Sequence, residues 1–262
     1  MPEGDSLRRA EALLAPILED TVVRSVWFRM LRGYRPRPGQ RIERVDAVGK
    51  HLLIEFDRNL TLDTHLGMTG SWQVIGPQAT IPSNPRLRVV ISTDLGQALC
   101  LAAPIIQTFI RDGSASPVDH LGPDLSDDDA DLDEVMRRSR LSPPYRLVAD
   151  LLLDQSVAAG IGNVFKSEAL FVAGVHPFTP LSALPDERLR HVWSVGHRQL
   201  IANRARPFRS TTRDSDTGRT YVYGRFHLGC RRCDNAIEFS PAGLRTARST
   251  YWCPTCQPAI GA

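Results

Sequence analysis

The 262-residue chain has 42% hydrophobic and 23% charged residues, ordinary globular values that exclude wholesale disorder. No run of about 18 apolar residues occurs, so no membrane-spanning helix is expected. The start MPEGDSLRRAE has no signal-type apolar stretch, so secretion is not expected either. The formal net charge of +3 is unevenly spread: from Glu187 onward 13 arginines face 5 acids, a net of +8, leaving 19 basic and 24 acidic residues, net −5, in the remainder. Of the 32 basic residues only Lys50 and Lys166 are lysine. A basic C-terminal third suits a polyanionic partner; an arginine-biased composition with an uneven surface accounts for it equally. The length suits two domains with a small appended module.

In chain order, Asp5 to Leu18 reads as a helix, with Leu7, Ala10, Leu13, Leu14 and Ile17 near 3.6-residue spacing. From about Thr21 to Leu101 short apolar runs follow: VVRSVWF, QRIERVDAV, HLLIEF, SWQVI, RLRVVIS and QALCLA. The turn signals YRPRPG, DRNL, GPQATIPSNP and STDLG separate them, so an antiparallel sandwich or barrel is expected. The acidic GPDLSDDDADLDEV reads as a solvated linker leading into a helix. Helices are then expected in PYRLVADLLLDQS, VFKSEALFVAG and DERLRHVWSVGHRQLIANRA, with a short one near Leu181. Between the first two, Gly160 and Gly162 permit close backbone approach and Asn163 begins a helix. That helix N-terminus can bind phosphate or be simply capped.

Five cysteines occur, and four of them, Cys230, Cys233, Cys253 and Cys256, form two C-x2-C pairs separated by 19 residues. Two such knuckles bring four thiolates into a closed tetrahedral site, so one structural Zn2+ is expected with no open position for water. Two disulfides would fit the same count, but cytosolic thiols stay reduced. Cys100, within QALCLA, is expected on a buried strand.

Together these motifs resemble the formamidopyrimidine-DNA glycosylase / endonuclease VIII family of base-excision repair enzymes. The resemblance runs from Pro2 to Gln257 through PEG, VGKHLL, HLGMTG, GIGNVFKSEALF, VYGR and RSTYWCPTCQ, in the family's order. It implies an α+β fold: a β-sandwich with an N-terminal helix over 1–118, a helical domain with a helix–two-turn–helix over 119–224, and a zinc-ribbon finger over 225–262. DNA is expected in the cleft between the lobes.

The same resemblance assigns roles. The nucleophile is the amine of Pro2 once Met1 is removed. An α-amino group with a pKa near 8 supplies more neutral amine at pH 7 than a lysine near 10.4. Attack at C1′ of the deoxyribose gives a Schiff base, and β,δ-elimination then cuts the strand. Glu3 matches the acid–base carboxylate. Lys50, in a β-hairpin, is expected to contact a lesion-flanking phosphate and counts with the catalytic set. Asn163 and Arg248 match the family's phosphate-binding residues, with Arg245 a nearby competitor for the latter role, and Met68 is the candidate wedge for the space left by the flipped nucleotide. Lys166 is expected on a solvated face, and Glu168 in a structural hydrogen-bonding role.

Two departures shape the expectation. The usual P-E-x-P-E start here reads Pro2-Glu3-Gly4-Asp5-Ser6, so Ser6 replaces the second carboxylate and Asp5 lies one position early. The region that carries an Arg-Arg-Phe-type loop in the 8-oxoguanine branch reads CLAAPIIQTFI here, without the arginine pair. Both favour the endonuclease VIII branch: a monomeric, cytoplasmic, nucleoid-associated glycosylase/AP lyase acting on oxidised pyrimidines and abasic sites. The alternatives are a catalytically silent binder of damaged DNA and an 8-oxoguanine/formamidopyrimidine glycosylase.

Overall fold

A computed structural model of the chain describes residues 1–113, 116–212 and 219–259. It divides into two units, Met1–His120 and Leu121–Ala262. Among the described residues no helix is long and apolar enough to cross a membrane.

The first unit opens with helix α1 (Gly4–Leu18) and continues as eight strands: β1 (Ser25–Phe28), β2 (Ile42–Val48), β3 (His51–Phe56), β4 (Leu60–His65), β5 (Ser71–Ile75), β6 (Leu87–Ser92), β7 (Gln97–Leu101) and β8 (Ile105–Ile110). They form two four-stranded sheets, ordered β1-β6-β7-β5 and β2-β3-β4-β8, in which every pair is antiparallel. This is the expected sandwich. Its core joins Leu52, Ile54, Phe56 and Leu62 to Val89, Ile91, Ala98 and Cys100 of the other sheet. Each such aliphatic side chain contributes roughly 1.5–3 kcal/mol on burial. Helix α1 buries Leu7, Ala10, Leu14 and Leu18, spaced at three or four residues. Leu13, expected on that stripe, lies about 100° from Leu14 around the helix and is 44% exposed.

Strands β4 and β8 have no counterpart in the sequence reading. The segment LTLDTH is buried at five of six positions, with polar Thr61, Asp63 and Thr64 fully covered, so its residue types do not announce a buried strand. The DRNL signal is a hairpin turn in which consecutive Arg58 and Asn59 take φ 59° and 61°, the left-handed pair that suits a two-residue hairpin. The Ala-Ala-Pro in CLAAPIIQTFI is only a short corner after β7, with Ala102 at φ 53°, and the chain then enters β8 of the other sheet.

The second unit contains α2 (Leu132–Arg140), α3 (Val148–Leu151), α4 (Asn163–Ala173), a 3-10 turn at Leu181–Ala183, α5 (Asp186–Asn203) and a ribbon of β9 (Glu238–Ser240) and β10 (Thr250–Trp252). The acidic stretch is less solvated than expected. Leu125 is buried, and buried Asp124 accepts from the Ser126 backbone N–H and hydroxyl at 2.9 and 2.7 Å. Its end supplies Asp131, whose carboxylate caps α2 by accepting from the N–H groups of Asp133 and Glu134. Helix α3 is shorter than its apolar run. The Asp154 carboxylate accepts from the Ser156 N–H and hydroxyl, a turn that competes with continued helix. Helix α4 is buried on nearly every side and stops at Gly174, whose φ of 64° is the usual left-handed C-terminal cap. Gly160 needs its glycine for φ +99°, whereas Gly162 has extended backbone.

Candidate active site and phosphate-binding residues

In the first unit the chain start is tied down. The Glu3 carbonyl accepts from the N–H groups of Ser6 and Leu7, opening α1, while its side chain makes no cap bond and is buried beside half-buried Pro2. A solvated N-terminal carboxylate is thereby excluded. Asp5 is buried too, and its carboxylate accepts from Arg9 at 3.0 Å and from the Ser6 hydroxyl at 3.2 Å. Glu19 accepts from the Val45 N–H and Glu11 from the Ala47 N–H, so α1 runs along β2 with its start toward the β2–β3 turn.

That turn is Gly49–Lys50. Val48 pairs with His51 across it, and Gly49 at φ 60° supplies the left-handed residue. In the next pair His51 faces His65, so Lys50 and the HLGMTG segment leave the same end of the sheet. Met68 is 67% exposed at the tip of that segment. The turn beneath it depends on Gly67 at φ +59° and on Gly70, where a Cβ would lie 2.3 Å from the Leu66 carbonyl oxygen. Leu66 itself is buried in the core.

Sequence reasoning missed the polar network behind this edge. His51 Nδ1 lies 2.9 Å from buried Asp63, whose second oxygen accepts from Gln107 at 2.9 Å. The His51 and His65 rings meet edge to face at 5.3 Å. Burial, helped by His51 and Lys50, holds the His65 pKa below its ordinary value, and its Nδ1 accepts from the Gly67 N–H at 3.1 Å. His65 is therefore neutral at pH 7, with its proton on Nε2. The contacts among His51, Asp63, His65 and Gln107 are visible only once β4 is placed between β3 and β8.

In the second unit Asn163 begins α4 and Arg248 lies on the ribbon turn before β10. The structure brings them together. Asn163 Nδ2 donates to the Ser249 hydroxyl at 3.1 Å, and exposed Arg248 is the preceding residue. Its carbonyl accepts from the hydroxyls of Thr246 at 2.7 Å and Thr250 at 3.1 Å, both buried. The competitor Arg245 is engaged elsewhere, its guanidinium 4.0 Å from the Phe178 ring centroid. Lys166 corrects the sequence reading: it does not lie on a solvated face but is 0% exposed. Glu168 does have the expected structural role. Its carboxylate accepts from Thr211 and, at 2.8 Å each, from the N–H groups of Tyr221, Val222 and Tyr223, holding the VYGR segment while burial pushes its pKa up.

The sulfurs of Cys230, Cys233, Cys253 and Cys256 all lie within 4.8 Å of one another, and no disulfide joins them. Cys230 and Cys256 are 3.8 Å apart, Cys233 and Cys253 3.4 Å. A tetrahedral four-thiolate centre with metal–sulfur bonds near 2.3 Å has sulfur–sulfur edges of about 3.8 Å. The donor set fits a soft dication. Hydrogen bonds, the Asn235 backbone N–H foremost, pull the Cys233 thiol down, while burial pushes Cys253 and Cys256 up, so a bound cation would be needed to hold the set as thiolates.

The fold and these residues define a DNA glycosylase architecture, and comparison with known proteins agrees. Residues 1–104 match the formamidopyrimidine-DNA glycosylase N-terminal domain and residues 121–203 its helix–two-turn–helix domain. The chain belongs to the formamidopyrimidine-DNA glycosylase family. Within it, the probable endonuclease 8 2 of Streptomyces coelicolor is 37% identical, over 98% of this chain and 94% of that protein. The DNA-(apurinic or apyrimidinic site) lyase Nei2 of Mycolicibacterium smegmatis is 36% identical, over 99% and 100%. Among solved structures, the MutM (Fpg) protein of Thermus thermophilus superimposes with a TM-score of 0.81 at 26% identity, covering 98% of this chain and 99% of that one.

Proposed function

We propose that this protein is a bifunctional DNA glycosylase/AP lyase of the endonuclease VIII branch that removes oxidised pyrimidines and incises abasic sites. The observation that carries this reading is the pairing of nearly full-length similarity to a named abasic-site lyase with a Pro2-Glu3 start placed directly at the head of α1. Removal of Met1 makes Pro2 a secondary amine. Its lone pair attacks C1′ of the lesion nucleotide, and the base leaves with the electrons of the C1′–N bond and takes up a proton. Glu3 takes the proton from the Pro2 nitrogen and delivers it to the ring oxygen as the sugar opens to the iminium. Loss of a C2′ proton then expels the 3′ phosphate, and a second elimination expels the 5′ phosphate.

Lys50, Asn163 and Arg248 bind DNA phosphates, and Met68 fills the space of the extruded nucleotide, which C1′ chemistry within a duplex demands. The pyrimidine preference is supported by the short β7–β8 corner, residues 102–104, which carries no arginine. One Zn2+ held by the four cysteines would make the ribbon rigid around the Arg248 turn. We further assign three functional regions, 1–118, 119–224 and 225–262, in a monomer that works on the bacterial nucleoid in the cytoplasm.

Borohydride trapping on abasic DNA, with the N-terminus checked by mass spectrometry, tests the reading. A covalent adduct from Pro2-started protein is expected, and Glu3→Gln should slow base release by about 10²–10⁴-fold. Binding without an adduct would make the protein a silent damage binder. Faster cleavage of 8-oxoguanine than of thymine glycol would overturn the pyrimidine assignment.

A further inference from the structure

Lys166 breaks two local rules at once. It is the fourth residue of α4, in the first turn, where the helix dipole favours anions, and that turn contains no acid. It is also fully buried, where an ammonium ion gives up its hydration. Local rules broken together are a mark of sites built for a purpose other than stability.

Its surroundings show what the purpose is. Nζ donates to Asn163 Oδ1 at 2.7 Å, to the Ser249 carbonyl at 2.9 Å and to the Thr250 hydroxyl at 2.9 Å. Three neutral oxygens on one nitrogen match the three donors of a compact ammonium better than a planar guanidinium. The bond to Oδ1 sets the orientation of the Asn163 amide. Its nitrogen becomes the donor side, with one N–H on Ser249 and a second for a ligand. The bonds to Ser249 and Thr250 fix the backbone immediately after Arg248. One buried cation thus sets both candidate phosphate-binding residues, on elements more than 80 positions apart in sequence.

We propose that Lys166 is a positioning residue for a DNA phosphate: its bonds orient the Asn163 amide and fix the backbone of the Arg248 turn. The inference rests on the reading of Asn163 and Arg248 as phosphate-binding residues given above.

The test is equilibrium binding of a duplex containing a tetrahydrofuran abasic analogue, across salt concentrations of about 50–200 mM. Wild type, Lys166→Met, Asn163→Ala and the double variant are compared, with zinc content and Tm recorded for each. Lys166→Met should weaken binding about tenfold and reduce the salt slope by about one, with zinc retained. The two single losses should add less than fully in the double variant, because part of the Lys166 effect runs through Asn163. Single-turnover cleavage at saturating abasic DNA should stay within about twofold of wild type, placing the loss in KM and not in kcat. A wild-type affinity and slope for Lys166→Met, or fully additive losses, would overturn the proposal. If Lys166→Met loses zinc or unfolds, Lys166→Gln takes its place: a reduced slope supports the proposal and an unchanged slope overturns it. Failure of wild type itself to bind the duplex would instead remove the phosphate reading beneath the proposal.

Discussion

In the first unit Lys50 and Met68 ride on turns shaped by backbone glycines, whereas in the second Asn163 and Arg248 are held by side-chain bonds to Lys166, Ser249 and two threonines. Met68 needs little beyond the left-handed Gly67 and the close approach at Gly70, both within two residues of it. Arg248 depends on groups spread from Asn163 to Thr250, and the VYGR segment on Glu168, more than 50 positions earlier. Short-range backbone devices leave signals in the sequence. Long-range side-chain networks leave almost none.

Breaking the side-chain device should cost most. Glu168→Ala removes the acceptor of three backbone N–H groups in a buried site, so unfolding of the second unit should become easier by roughly 3 kcal/mol or more. Urea denaturation followed by hydrogen exchange should show the loss there and not in the β-sandwich. Gly70→Ala attacks the backbone device. Its Cβ would press on the Leu66 carbonyl, and a destabilisation of roughly 2 kcal/mol in the first unit is expected by the same measurement. Equal losses in both units for either variant would erase the contrast.

Smaller effects sharpen it. Arg248→Ala leaves both devices intact and should lower the salt slope of DNA binding by about one phosphate contact with no change in Tm. The His65 pKa is held below the unfolded value near 6.5, so below that pH the unfolded chain takes up a proton that the folded chain resists. Stability should therefore fall as pH drops through the acid side of 6.5 and be unaffected above it. Melting across this range should show a Tm decrease in wild type that is smaller in His65→Gln.

The opening charge count acquires a different meaning in the folded chain. Much of the C-terminal arginine excess serves internal bonds. Arg188, Arg225, Arg231 and Arg232 donate to backbone carbonyls of Gly174, Gly229, Thr220 and Phe171, and Arg204 pairs with Asp128. Arg232 also lies over the Phe171 and Tyr221 rings. Exposed Arg248, on its pinned turn, is the member of this group that the DNA reading uses.

Six strands and the start of α4 were legible because period-2 alternation and an Asn after glycines are local patterns. Strand β4 escaped because LTLDTH has only two strongly apolar residues and its Thr61, Asp63 and Thr64 are polar types that only the packed structure shows to be buried, and α3 fell short of its apolar run because the Asp154 turn outcompetes the helix. The glycine turns and the two cysteine pairs were determined by sequence alone, since each depends on covalent neighbours or fixed spacing, whereas Pro2 entered as candidate nucleophile through the family resemblance. Only tertiary structure decided that Glu3, Asp5 and Lys166 are buried, that His51 meets Asp63, and that one lysine joins Asn163 to the Arg248 turn. Burial and the pairing of distant polar atoms are properties of packed surfaces, and identical residue types stand equally well in solvent until the chain closes around them.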